Sequence, residues 1–152
     1  MKRLLYSMMI MTGWALTACG AVGGPSTQAP QALAAVKASL AQAYWAQGQS
    51  EEALRQIEQA VALTPNNADL WLLRAELHRQ QGLAQPAQES YAQALRLAPA
   101  AGAPNHHYGW YLCHVLGQPD AAAVYFERAR LDAAYPHRAQ VAKERAACVQ
   151  TD

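Results

Sequence analysis

The most reactive side chains of this 152-residue chain are three cysteines and a small cluster of histidines. His106, His107 and His114 flank Cys113, and Cys148 follows 35 positions later. Histidine and cysteine are the ligand types of zinc, which sets the first question. The spacing argues against a metal: His107 and His114 stand a full heptad apart, and no carboxylate pattern accompanies them. No nucleophile elbow, phosphate loop, H-E-x-x-H motif or paired acid constellation occurs either. Neither an enzyme nor a metal or cofactor site is expected. Cys19 stands apart from the others, directly behind an apolar N-terminal run.

The elements that must carry these residues announce themselves by repetition. Glycine recurs at Gly48, Gly82 and Gly117, and alanine at Ala53, Ala87 and Ala122. Ile57, Tyr91 and Phe126 keep the same step, as do Ala60, Ala94 and Ala129; every set advances by 34 and then 35 residues. A fixed period in this range marks a helix-turn-helix solenoid, whose units bury their apolar faces only by stacking. Within the middle unit, Leu70, Trp71, Ala75 and His78 fall at helical spacing over a helix A expected at 68–81, which Gly82 ends. Pro86 suits the first turn of helix B, Ala87, Tyr91, Ala94 and Leu95 share one face of it, and Pro99 stops it. Ser50 and Asn67 are placed to cap the helices that follow them. The third unit is one residue longer, and the extra residue is expected before its first helix, within 99–104. With 52% apolar and 15% charged residues, a single Phe and no β-branched runs, all-α is the class that fits.

This pattern resembles the tetratricopeptide repeat, whose period, glycine, paired alanines, aromatic and terminal proline it reproduces. The expected domain spans 32–149, with repeats at 34–67, 68–101 and 103–136 and a half repeat at 137–149. Residues 1–18 have the layout of a secretory signal peptide: Lys2 and Arg3, an apolar run over 4–16, then small residues. The run is shorter than the roughly 20 residues that span a bilayer. Its end, Leu16-Thr17-Ala18-Cys19, resembles a bacterial lipobox, which implies cleavage before Cys19 and attachment of several acyl chains to that residue. The alternative is an ordinary signal peptide that ends near a cysteine. Gly20, rather than Asp, is similar to the lipoproteins sorted to the outer membrane. Residues 20–31 are rich in Gly, Pro and Ser and read as a flexible tether. Loss of Lys2 and Arg3 with the leader leaves acids and bases nearly balanced, a poor composition for nucleic-acid binding.

The third unit departs from the general repeat. Its first helix reads N-H-H-Y-G-W-Y-L-C from Asn105 to Cys113, and Tyr135-Pro136 follows its second helix. A tetratricopeptide lipoprotein with the Tyr108-Gly109 and Tyr135-Pro136 elements resembles the type IV pilus biogenesis and stability lipoproteins of the PilW/PilF type, with His106 and His107 where that family usually has Asn. The resemblance implies a non-enzymatic protein at the periplasmic face of the outer membrane, held there by lipid, that helps the pilus secretin assemble or stabilises the fibre. It implies no cofactor, no small-molecule substrate and no nucleic acid. Members of that family carry more repeats, which keeps a general periplasmic adaptor lipoprotein as the alternative.

A partner segment is expected on the concave face formed by the A helices. Counting from the start of each repeat, that face takes Ala38, Gln42 and Trp45, then Leu72, Glu76 and Arg79, then His107, Tyr111 and His114. Trp45, Leu72 and Tyr111 are expected as an apolar strip in the groove, with burial in the core as the alternative. Cys113 and Cys148 occupy the same place in successive A helices, which pack side by side. Their sulfurs are expected to meet and, in the periplasm, to form a disulfide worth about 3–4 kcal/mol; the alternative is two buried thiols.

Overall fold

The computed structural model describes residues 28–149, so the expected leader, Cys19 and residues 20–27 of the tether lie outside the described residues. Among the described residues there are seven helices and no strand: α1 (Gln28–Ala46), α2 (Ser50–Leu63), α3 (Ala68–Gln80), α4 (Ala84–Leu97), α5 (Gly102–His114), α6 (Pro119–Leu131) and α7 (Arg138–Val149). α1 packs on α2, α3 on α4 and α5 on α6, and α7 lies against α5 and α6. The result is an all-α solenoid of three helix pairs and a seventh helix.

α1, α3 and α5 each end where a left-handed residue reverses the chain: Gly48 and Gly82 at φ 74° and Gly117 at φ 61°. The turn closes on backbone alone, with the Gln49 N–H donating to the Tyr44 carbonyl at 2.9 Å and the Leu83 N–H to the His78 carbonyl at 2.9 Å. This closure corrects the expected role of Ser50. It is the first helical residue of α2, the N-cap is Gln49, and no side chain caps the helix, because the tight turn already brings the chain into helical register. Asn67 does cap, its Oδ1 accepting the Asp69 N–H at 3.0 Å. The first helix also begins earlier than expected. Residues 28–31 are helical rather than tether, with Pro30 in the first turn, where an amide hydrogen has no intrahelical partner.

The most consequential correction concerns the extra residue of the third unit. α3 and α5 start 34 residues apart and also end 34 apart, whereas α4 and α6 start 35 apart. The insertion therefore lies in the α5–α6 turn, not before α5. There the Gln118 N–H reaches back to the Leu112 carbonyl at 2.9 Å, a closure one residue wider than that at Leu83.

The seams between helices are built from the repeated residues. Ala53, Ala87 and Ala122, Ala60, Ala94 and Ala129, and Ile57, Tyr91 and Phe126 are all fully buried. Ala41, Ala75 and Gly109 form a further buried set, 34 apart, on the A helices. A Cβ on Gly109 would stand 3.1 Å from the Phe126 ring, so any larger residue would require the aromatic to give by a few tenths of an ångström. α7 is held differently: Val141 and Cys148 are its only buried side chains.

Candidate functional site

The A helices line the concave side, where α3, α5 and α7 enclose an open cleft of about 350 Å³. α3 contributes Glu76 and Arg79, α5 contributes His106, His107 and Trp110, and α7 contributes Gln140 and Glu144; Tyr135 and His137 close one end from the α6–α7 connection. The cleft is polar and aromatic rather than apolar.

Two networks hold it in shape. Glu76 is the centre of the first. Arg79 donates to its Oε2 from Nε and Nη2 at 3.0 and 2.8 Å, His107 Nδ1 lies 3.0 Å from Oε1, and the Tyr91 hydroxyl donates to the same oxygen. Burial by itself would raise the Glu76 pKa, but the bonds from His107, Tyr91 and Arg79 overcome it and bring the carboxyl to about 2. Burial and the neighbouring Glu76 charge push the Tyr91 hydroxyl well above its ordinary range, so it stays a donor. The Arg79 guanidinium also lies 4.7 Å from the centre of the Trp110 ring, which stacks in turn on His114 at 4.6 Å.

His106 is the centre of the second network. Its Nδ1 is 2.7 Å from the Tyr135 hydroxyl and its Nε2 is 2.7 Å from Glu144 Oε2. One neutral imidazole satisfies both, Nε2–H donating to the carboxylate and Nδ1 accepting from the phenol. Gln140 donates to the other Glu144 oxygen at 2.7 Å. The connection that carries Tyr135 is seated on the start of α5. Asp132 Oδ2 accepts the Gly102 N–H at 2.6 Å, where the helix dipole favours an acid, and a Cβ on Gly102 would collide with the Tyr135 side chain at 2.4 Å.

Of the residues expected in the groove, Glu76, Arg79 and His107 line the cleft. Tyr111 does not: it is fully buried, its ring 5.1 Å from that of Tyr91 and its hydroxyl donating to the Ala84 carbonyl at 3.0 Å. Leu72 is buried in the same apolar cluster, and Trp45 and Ala38 are half-buried against the core of α1–α3. Of the expected apolar strip, Leu72 and Tyr111 are therefore core, and Trp45 packs half-buried against it. Gln42 is exposed, and His114 stands outside the cleft, against Trp110. The misplaced insertion explains the error in α5. With the true step of 34, Leu72, Glu76 and Arg79 correspond to His106, Trp110 and Cys113. The alignment of Ala75 with Gly109 was the signal in the sequence that would have found His106 and Trp110.

The Tyr108, Gly109, Tyr135 and Pro136 elements also fall into place. Tyr108 is half-buried, 5.5 Å from the Tyr91 ring and 4.8 Å from the Tyr125 ring, and Gly109 makes the close approach to Phe126. Tyr135 reaches His106, and Pro136 is exposed beside it. Cys113 and Cys148 are joined in a disulfide, their Cα atoms 5.9 Å apart. Among the described residues no group of three or more His, Cys, Asp or Glu is arranged to hold a metal ion, and no helix is long and apolar enough to cross a membrane.

Comparison with known proteins places the fold. Residues 38–102 match the family described as tetratricopeptide repeat. Among solved structures, PilW, described as a widely conserved type IV pilus biogenesis factor, superposes with a TM-score of 0.73 at 33% identity, covering 76% of this chain and 52% of its own. PilF of Pseudomonas aeruginosa gives 0.75 at 20% identity, covering 80% of this chain and 55% of its own. The first tetratricopeptide domain of Spaghetti (RPAP3), bound to an HSP90 peptide, gives 0.70 at 20% identity, covering 79% of this chain and 95% of its own. The chain thus spans about half the length of PilW and PilF. No curated protein matches it.

Proposed function

The chain is a tetratricopeptide-repeat protein resembling PilW and PilF, and from this premise we propose that it acts as a lipid-anchored scaffold of type IV pilus biogenesis. In this reading Cys19 carries acyl chains that fix the protein to the periplasmic face of the outer membrane. The concave cleft then holds a segment of the pilus secretin or of another pilus component and aids its assembly or stability. The role is non-enzymatic, as is usual for a fold whose working surface is a groove for another chain.

The observation that carries this reading is the 33% identity to PilW, spread over 76% of the chain and joined to the same fold. The cleft supports it chemically. Glu76, Arg79, His106, His107 and Glu144 present hydrogen-bonding groups whose positions are set before any partner arrives, which lowers the ordering cost of binding. The test is capture of the tagged lipoprotein from membranes, with secretin multimers followed in a strain that lacks it. Co-purified secretin, together with multimers lost in the deletion and restored by the wild type but not by Cys19→Ala, is the expected result. Intact multimers and normal pili in the deletion strain would end the pilus role. They would leave the general envelope adaptor, whose partners the same capture would identify.

A further inference from the structure

α7 is a wall of the cleft that buries few of its own side chains. It contributes Gln140 and Glu144 to the lining, yet of its 12 residues only Val141 and Cys148 are buried. Its exposed ion pair, Arg145 to Glu127 at 3.2 Å, is of a kind that adds little. A helix of this length is marginal in water unless packing or a cross-link holds it. Val141 is a small anchor, and the Glu144 bond to His106 is a single polar contact. A covalent link adds to these, from Cys148 near the end of α7 to Cys113 on α5, the helix that carries His106, His107 and Trp110.

We propose that the Cys113–Cys148 bond is a redox latch on the groove: oxidised, it holds both walls in place; reduced, it lets α7 leave and opens the cleft. The inference concerns the same groove as the proposed function and rests on that groove being the binding face. The exchange is a two-electron reduction by a dithiol. Cys148 is 2% exposed and Cys113 only half-buried, so the attacking thiolate reaches the Cys113 sulfur. The S–S bond breaks, Cys148 leaves as a thiolate and takes a proton, and the second thiol of the reductant resolves the mixed disulfide. The products are two cysteine thiols and an oxidised reductant. Release of α7 removes Gln140 and Glu144 from the cleft and uncovers His106, which is 7% exposed while the latch is closed. Binding through this groove then requires an oxidising compartment, and a chain that is still reduced does not engage its partner early.

The test uses the full chain, oxidised or treated with a phosphine reductant, with alkylation and mass spectrometry confirming that two thiols are freed. Hydrogen exchange over residues 138–149 should speed up at least about tenfold on reduction, with that over α1 to α4 unchanged. Diethyl pyrocarbonate should modify His106 at least about tenfold faster, while the exposed His114 reacts alike in both forms. Unchanged exchange over 138–149 with His106 still shielded would overturn the latch. So would loss of protection across α1–α4, which would make the bond a staple of the whole fold. Because no partner enters the measurement, failure here leaves the pilus reading standing, and normal pili in the deletion strain leave the latch standing.

Discussion

The helices α1 to α4 and the helices α5 to α7 are built on the same period but are held together by different means. In the first group the repeated alanines are fully buried with Ile57 or Tyr91 beside them, and Leu70, Leu77 and Val61 extend the apolar core around Ile57. In the second group Phe126 keeps the apolar seam between α5 and α6, but α7 is joined by a disulfide, a histidine bridged to Tyr135 and Glu144, and a connection seated on Gly102. Apolar burial is non-directional and tolerates drift; polar and covalent contacts fix geometry to a few tenths of an ångström. The half of the solenoid that carries most of the cleft is thus the half whose positions are specified by directional bonds.

Substitutions that separate these two kinds of attachment test the contrast, beginning with the largest effect. Phe126→Ala should cost about 3–5 kcal/mol and Ile57→Ala about 2–5 kcal/mol by denaturant unfolding, since both leave cavities at equivalent places in the apolar seam. A cost at Phe126 well below that at Ile57 would mean that the directional contacts, not the seam, hold the second half. Replacing Cys113 and Cys148 together by serine should lower the free energy of opening α7 by about 3–4 kcal/mol, read as faster exchange over 138–149. Stability of α1–α4 should hardly change.

Glu76 lies where the two groups meet, on α3 but bonded to His107 of α5. Its carboxyl sits at about 2 in the folded chain against an ordinary 4.5, so the stability it adds is present above about pH 4.5 and is lost as the pH falls toward 2. That contribution is on the order of 3 kcal/mol. In Glu76→Gln the loss of stability between pH 4.5 and 2 should shrink by a similar amount, as followed by urea unfolding at each pH; an unaltered acid profile would show that the network adds nothing. The smallest effect belongs to the surface. Glu127→Gln removes the pairs to Arg130 and Arg145, and its thermal midpoint should match the wild type, because exposed pairs are screened by water and salt.

Much of the fold was legible in the residues themselves. The glycines at positive φ, the buried alanines and the series Ile57, Tyr91 and Phe126 all stand where the period puts them, because close helix packing leaves few residue types that fit. The pairing of Cys113 with Cys148 followed from the same spacing. The groove was only partly legible. Glu76, Arg79 and His107 line it, but Tyr111 and Leu72 are core, and His106 and Trp110 went unrecognised for want of one residue of register in α5. A slip of one residue turns a helical side chain by about 100°, enough to exchange a cleft position for a core position.

The all-α class, the stacking unit and the residues at its seams follow from the residue pattern alone, since repeated burial constraints leave a mark at every turn of the period. The place of the inserted residue, the mutual approach of Glu76 and His107 across 31 positions, and the bridge from His106 to Tyr135 and Glu144 were decided only in three dimensions. Such contacts join single residues from different units, so no period records them. They form because the stacked backbone brings the A helices to hydrogen-bonding distance, and that distance is a property of the packed solenoid rather than of any one segment.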